Sequence, residues 1–247
     1  MSATPAWPPK SLPRLFVRQS LEEGVRIELD AGQANYLGNV LRLKEGAEVL
    51  LFDGRSGEWL ARIGEAGKKQ MALTVERQTR EAEAIPDVWL AFAPVKRQGT
   101  DWLVEKATEL GAARLIPVMT RRTVAERVRL ERLEAIAIES AEQCGRTVLP
   151  EIGEPQPLNR FLDQRETSRT LYFADEGGGE PPAEAFRPCP AQILIGPEGG
   201  FTDEERALIR AAPNAVPISL GPRILRAETA ALAALAAYMA VAGDWRG

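Results

Sequence analysis

The sequence contains no histidine. That absence excludes a Ser-His-Asp triad, a histidine-ligated metal and an imidazole general base. Acid–base chemistry in this chain falls to carboxylates, lysine, tyrosine, arginine-assisted groups or the substrate itself. Cysteine is nearly as scarce, with only Cys144 and Cys189, far apart and in no CxxC spacing. A disulfide framework or zinc site is therefore not expected, and the expected compartment is a reducing cytoplasm. No apolar run reaches membrane-spanning length; the Ala-rich segment near the end comes closest but is short and small-sided. The opening MSATPAWPPK lacks a basic region followed by an apolar one, so no signal peptide is expected. Neither sign of charge dominates, since 35 acids against 31 bases leave a net −4. A nucleic-acid partner would need bases clustered on one face.

What is present describes a soluble globular chain, 45% hydrophobic and 27% charged, with 247 residues, enough for one large domain or two ordinary ones. Two patterns divide it. Residues 1–10 read as a loose tail, and residues 11–77 are mostly β with one helix. Within them Leu15-Phe16-Val17 is a short apolar run, and Val25, Ile27 and Leu29 alternate with Arg26 and Glu28. Asp30 with Gln33 forms a capping box, and two strand patterns flank the turn Gly54-Arg55-Ser56-Gly57 as a hairpin. A further strand runs over residues 71–76. This unit resembles a small RNA-binding barrel more than an enzyme core. Residues 78–86 lack apolar periodicity and are expected to be a linker. Over residues 87–247 strand and helix patterns alternate, which predicts a parallel sheet covered on both faces. Strands are expected at 88–93, 115–119, 171–173, 193–195 and near 216. Helices are expected from Thr100 or Asp101 to Leu110, from about Glu126 to Cys144, from Glu204 and from Glu228 to Val241. Pro117 predicts a strand edge or end.

Two loops stand out. Ile193-Leu194-Ile195 runs into Gly196-Pro197-Glu198-Gly199-Gly200, followed by Thr202 and Glu205 as a second capping box. Taken alone, such a glycine turn is as readily structural as functional. It is neither a phosphate-binding lysine loop nor GxGxxG, and it follows a strand near the chain's end rather than the first of its domain. The second loop, LGPRILRAETAA from Leu220, sets Arg223 and Arg226 about Ile224 and Leu225 just before a helix. Two arginines beside two aliphatics suit a pocket with an apolar floor and a cationic rim better than a salt-bridged helix start. Lys96-Arg97 and Arg121-Arg122 each follow a strand, and Arg146 follows the long helix. Singly these are solvated charges; bases after two parallel strands share one carboxyl edge and form a local basic patch. Trp89 and Trp102 are expected in the core and Cys144 as a packed thiol.

IGPEGG followed by LGPRILRAETA resembles the paired signature of the SPOUT methyltransferases, and specifically of the RsmE family, the 16S ribosomal RNA (uracil-N3) methyltransferases. EKATELGA from Glu105, EQCGR from Glu142 and VLRLKEGAEVLLFDG from Val40 are also similar, so the likeness spans nearly the whole chain. Where the family often has histidine before the VLR segment, this chain has Asn35-Tyr36-Leu37. The resemblance implies a PUA-like β-barrel over residues 11–77 and, over 87–247, an α/β SPOUT domain with a deep trefoil knot. It implies S-adenosylmethionine bound in the knotted loops, a homodimer, no metal, no membrane, and 16S ribosomal RNA as partner, within the assembled small subunit. Backbone groups at Ile195, Gly196, Leu220 and Leu225 would hold the adenine edge, with Ile224 and Leu225 on its faces and Gly199, Gly200, Gly221 and Thr229 completing the cofactor set. The reaction would be an in-line methyl displacement from a sulfonium onto uracil N3. Arg226 would stabilise the uracil anion, with Arg223 a weaker candidate, and Glu198 would act as base or orient an arginine. Arg14, Lys96, Arg97, Arg121, Arg122 and Arg146 would meet RNA. Two other functions remain compatible with the residues: methylation of tRNA or a ribose oxygen, and RNA binding without catalysis.

Overall fold

The structure is a computed structural model, and it describes residues 12–66, 71–124 and 127–246. The expected tail, Ser11, Glu126 and Gly247 lie outside the described residues. The chain forms two compact units, one of residues up to 84 together with 141–149, the other of 85–140 and 150–247.

The first unit is a curled five-stranded sheet in the order β1-β3-β4-β5-β2. Its strands are β1 (Arg14–Phe16), β2 (Arg26–Glu28), β3 (Glu48–Phe52), β4 (Glu58–Ala66) and β5 (Met71–Arg80). β1 runs parallel to β3, and the remaining pairs are antiparallel. The alternation about Ile27 works as expected: Ile27 is fully buried while Arg26 and Glu28 face outward. Asp30 accepts a hydrogen bond from Gln33 N at 2.8 Å, and the Gln33 side chain accepts one from Asp30 N, opening α1 (Ala31–Asn35). One π turn, Tyr36–Val40, continues it and buries Leu37 against Leu51, Ile63 and Leu73. The expected linker begins too early, because β5 continues to Arg80. Its polar end pairs with β4 through two register shifts, and Arg80 reaches the Glu58 carboxylate at 3.4 Å. Irregular pairing with charged partners removes the period-2 signal.

The second unit is a parallel sheet in the order β12-β10-β11-β6-β7-β8. Its strands are β6 (Val88–Phe92), β7 (Arg114–Met119), β8 (Glu151–Ile152), β9 (Gln156–Pro157), β10 (Thr170–Ala174), β11 (Ala191–Ile195) and β12 (Ala215–Ile218). Its helices are α2 (Arg97–Glu109), α3 (Leu130–Cys144), α4 (Leu158–Gln164), α5 (Pro182–Ala185), α6 (Asp203–Ala211) and α7 (Ala227–Val241). β11 shows why the strands read as unbroken apolar runs. Ile193 and Ile195 pack with Leu103, Leu235 and Tyr238 on one face, while Leu194 packs with Phe161, Phe173 and Ile209 on the other. Pro117 falls between the stretches of β7 that pair with β8 and β9, where no outer neighbour needs its missing N–H.

Three expectations change. α2 starts at Arg97, ahead of Thr100, because the buried Thr100 hydroxyl bonds Val95 N at 3.1 Å and Val95 O at 3.0 Å instead of capping the helix. α3 starts at Leu130 rather than near residue 126. Trp102 is 41% exposed, not core, while the half-buried Trp89 lies between the guanidinium groups of Arg169 (3.8 Å) and Arg114 (4.7 Å). Among the described residues, no helix is long and apolar enough to cross a membrane.

α7 is anchored by Tyr238, whose hydroxyl donates to Cys189 O at 2.7 Å and whose ring meets Phe186 edge-on. Burial pushes its phenol up to about 12. A folded-state value above the unfolded value of about 10 contributes stability below pH 10 and loses it as pH rises toward 12. Denaturant titrations at pH 9 and pH 12 should therefore show Tyr238→Phe losing about 1–2 kcal/mol less than the parent over that interval. Equal losses in both proteins would contradict the anchor.

Candidate functional site

β10 pairs in parallel with β11 on one side and β12 on the other, so the carboxyl ends of all three strands lie at one edge. The loops leaving them enclose a cavity of about 500 Å³. Asp175 and Glu176 enter from the first loop, Gly196 to Phe201 from the second and Ser219 to Leu225 from the third, with Ala227 and Ala230 of α7 closing one side.

Each loop is held by identifiable bonds. Asp175 is buried and accepts from Gly177 N at 2.8 Å and from Arg210 Nε and Nη2 at 3.1 and 2.6 Å, with Arg206 at 3.5 Å. Both arginines belong to α6, so the first loop is tied to the helix that starts from the second. That helix is opened by the expected capping box. The Thr202 hydroxyl accepts from Glu205 N at 3.2 Å, and Glu205 accepts from Thr202 N at 3.0 Å, a cap worth about 1 kcal/mol. The buried Glu205 also accepts from Arg121 N at 2.8 Å, and Arg122 Nη1 donates to Gly199 O at 2.6 Å. The loop after β7 thus grips the glycine loop from outside. In the third loop Ser219 N donates to Glu180 O at 3.0 Å, and Gly221 takes a φ of +102°. Hydrogen bonding from Thr202 holds the Glu204 carboxyl below its ordinary value, with Arg121 adding to it.

Two glycines sit close against neighbouring side chains as well as in a turn. Gly200 has a φ of +66°, and a Cβ there would collide with Glu176 Oε1. A Cβ on Gly196 would lie 3.1 Å from the Phe201 ring. The cavity is acidic, with Asp175, Glu176 and Glu198 in its wall. Its rim is cationic: Arg223 lines it, Arg226 is the N-cap residue of α7, and neither guanidinium bonds a described residue.

Ten of the residues singled out by sequence line this cavity: Ile195, Gly196, Glu198, Gly199, Gly200, Leu220, Gly221, Arg223, Ile224 and Leu225. Ile224 is 94% exposed, so one side chain of the expected aliphatic pair stands open to solvent. Arg226 and Thr229 do not line the cavity and are exposed on the N-cap and first turn of α7. Lys96 and Arg121 follow β6 and β7 at the same carboxyl edge, while the Arg97 side chain lies outside the described residues. Arg14 and Arg146 are not solvated. In the first unit Arg14 donates to Glu58 at 2.7 Å, Ala141 O at 2.6 Å and Arg146 O at 2.7 Å, with Phe52 under its guanidinium. Arg146 is 5% exposed and donates to Val148 O at 2.9 Å. The partners of Arg14, and Glu83 at 3.7 Å from Arg146, lie in segments too distant in sequence for local pattern to reveal. Sequence reasoning missed Asp175, Glu176 and Phe201. A signal existed: an acid pair at a strand end before Gly177-Gly178-Gly179 has the same grammar as the other two loops.

Two family models match the chain: an RNA methyltransferase domain over residues 82–239 and an RNA methyltransferase PUA domain over residues 29–76. The fold and these matches define the class as RNA methyltransferases. The Rickettsia conorii ribosomal RNA small subunit methyltransferase E is 33% identical over 90% of this chain and 93% of its own. The structure is similar to that of a Legionella pneumophila methyltransferase solved with bound SAM, with a TM-score of 0.88 at 30% identity over 95% of this chain and 100% of that one. It is equally similar to a Neisseria gonorrhoeae ribosomal RNA small subunit methyltransferase E bound to S-adenosyl methionine, with a TM-score of 0.87 at 28% identity over 95% and 100%. The chain belongs to the ribosomal RNA small subunit methyltransferase E family.

The Gly200–Glu176 contact has a measurable consequence. Gly200→Ala should cost about 1–2 kcal/mol through its positive φ alone, and more through displacement of Glu176. Adding Glu176→Ala should recover the excess, giving a coupling of at least about 0.5 kcal/mol in a denaturation double-mutant cycle. Strict additivity would contradict the packing.

Proposed function

We propose that this protein transfers a methyl group from S-adenosylmethionine to N3 of a uridine in 16S ribosomal RNA, acting as a cytoplasmic homodimer on the assembled small subunit. Residues 11–77 are the PUA-like RNA-binding domain and residues 87–247 the SPOUT methyltransferase domain with its trefoil knot. The relatives named above support the enzyme class, the donor and the small-subunit RNA. The observation that carries the chemistry is an acidic, glycine-walled cavity beside two arginines, Arg223 and Arg226, that have no partner among the described residues.

The cavity fits the donor. Its volume of about 500 Å³ falls within the range of about 300–1,000 Å³ usual for small-molecule sites. Glu176 and Glu198 suit a cationic ligand, and Gly196, Gly199 and Gly200 let a flat ring approach the backbone. Ile195, Gly196, Leu220 and Leu225 offer backbone groups for an adenine edge, while Ile224 and Leu225 offer apolar contact. Gly221 permits the third loop's turn, and Thr229 borders the arginine side on α7. When bound, S-adenosylmethionine supplies an electrophilic methyl on a sulfonium.

The chain's own residues prepare the acceptor. Uracil N3 carries a proton and is nucleophilic only once it is lost. Arg226, exposed and unpaired, stabilises the resulting anion through the uracil oxygens, with Arg223 in support. Glu198 accepts the proton or orients an arginine. Among the bases, Lys96 and Arg121 stand on the same sheet edge and meet phosphate, and Arg97, the first residue of α2, is a further RNA-binding residue. Arg122 contributes by fixing the Gly199 carbonyl. Arg14 and Arg146 act on RNA only indirectly, by building the first unit.

Incubating the protein with S-adenosylmethionine and unmodified small subunits, then digesting the RNA, should yield 3-methyluridine by mass spectrometry. Arg226→Ala should lower that yield by about a hundredfold or more while donor affinity by calorimetry stays within about twofold. Near-parent turnover in the variant would remove Arg226 from the mechanism, and methyl on another nucleoside would replace the proposed acceptor.

A further inference from the structure

The carboxyl edge of the second unit holds another cavity, of about 420 Å³, that the donor site does not use. It opens where β6 passes into α2 and where residues 127–133 lead into α3. One wall is apolar, formed by valines 95, 124 and 128 with Leu133. The rest is basic: Lys96, Arg127, Arg129 and Arg132 contribute, and Asp101 is its one acid among the described residues.

Asp101 is already committed. Its two oxygens accept from Arg132 Nε at 2.9 Å and Nη2 at 2.5 Å, a two-pronged pair that neutralises both groups. That leaves Lys96, Arg127 and Arg129, whose side chains form no hydrogen bond or ion pair with a described residue. Three like charges around one concavity repel one another, and an anion seated among them removes that cost. The first turn of α2 carries no acid to offset its positive end, so the local field has the same sign. The ligand chemistry is therefore a phosphate attached to an apolar body that can lie on the valine wall, that is, a nucleotide.

We propose that this cavity holds a phosphodiester of the RNA strand flanking the target uridine, with Lys96, Arg127 and Arg129 on the phosphate and a ribose or base on the valine wall. The proposal rests on the methyltransferase reading above. It adds a second grip on the same edge of the sheet, outside the donor cavity, so that the RNA strand is held at two points rather than one. A free mononucleotide shares this chemistry, and the test separates the two sources.

The test compares the full chain with the variant carrying both Arg127→Gln and Arg129→Gln. Binding of a labelled single-stranded oligouridylate is followed by fluorescence anisotropy across a salt series, and S-adenosylmethionine affinity by calorimetry. The variant is expected to bind RNA at least about tenfold more weakly at low salt. Its slope of log affinity against log salt should be shallower by about 1.4, two contacts at about 0.7 each on a single strand. Donor affinity should not change. RNA affinity and slope equal to the parent's would overturn the cavity proposal while leaving the methyltransferase reading intact. Uridine 5′-monophosphate binding that the variant loses, without any loss of RNA binding, would assign the cavity to a free nucleotide and also overturn it. A parent protein that binds S-adenosylmethionine but not the oligouridylate would overturn the cavity proposal, whereas the methyltransferase reading falls only if small subunits gain no methyl group.

Discussion

The carboxylate of Asp175, 1% exposed at the end of β10, organises the candidate site. One oxygen takes Gly177 N and faces Arg206, and the other takes two donors from Arg210. Arg210 is itself half-exposed, so the pair counts more for position than for stability. Its effect is to hold the loop after β10 against α6, and α6 begins where the glycine loop ends. Glu176 is thereby set over Gly200, which is free of a Cβ and able to take a positive φ. From there Thr202, Glu205, Arg121 and Arg122 carry the restraint to the loop after β7. A cavity assembled from loops of separate strands keeps its shape because these bonds cross between them.

The parallel register makes such bonds possible. β10, β11, β12, β6 and β7 all point the same way, so every loop that leaves a carboxyl end meets its neighbours at one edge. Ligands of open α/β sheets bind at that edge for this reason. Here it carries two different electrostatic environments. The β10–β11–β12 side is acidic and glycine-lined, and the β6–β7 side is basic with an apolar wall. A methyl donor with a positive sulfonium and an acceptor strand with negative phosphates make opposite demands, and the two proposed sites would meet each at a different place on the edge.

Much of this was legible in the sequence, for local reasons. The Ile193 strand, its glycine turn and the Thr202 cap are encoded within a dozen residues, as is the Asp30 capping box. The pairing of the Gly196 and Gly221 loops followed from motif order, and β10 between them in the sheet explains their approach. What was not legible depends on distant partners. Asp175 and Glu176 went unremarked because Arg206, Arg210 and Gly200, which they meet, come much later in the chain. Arg146 read as solvated charge because its partner Glu83, at 3.7 Å, is brought to it only by folding, and the Glu58 and Ala141 partners of Arg14 are equally remote in sequence. The early start of α2 was hidden by Thr100, a good capping residue by type that spends its hydroxyl on Val95. α4, α5, β8 and β9 are too short for periodicity to register.

The most direct measurement of the account is a crystal structure of the protein grown with S-adenosylmethionine. The account predicts the donor between the loops after β11 and β12, its adenine edge on the backbone of Ile195, Gly196, Leu220 and Leu225. Its methyl should face the side on which Arg223 and Arg226 stand. Donor density in the basic cavity beside α2, or an unchanged empty cavity at saturating donor, would contradict it.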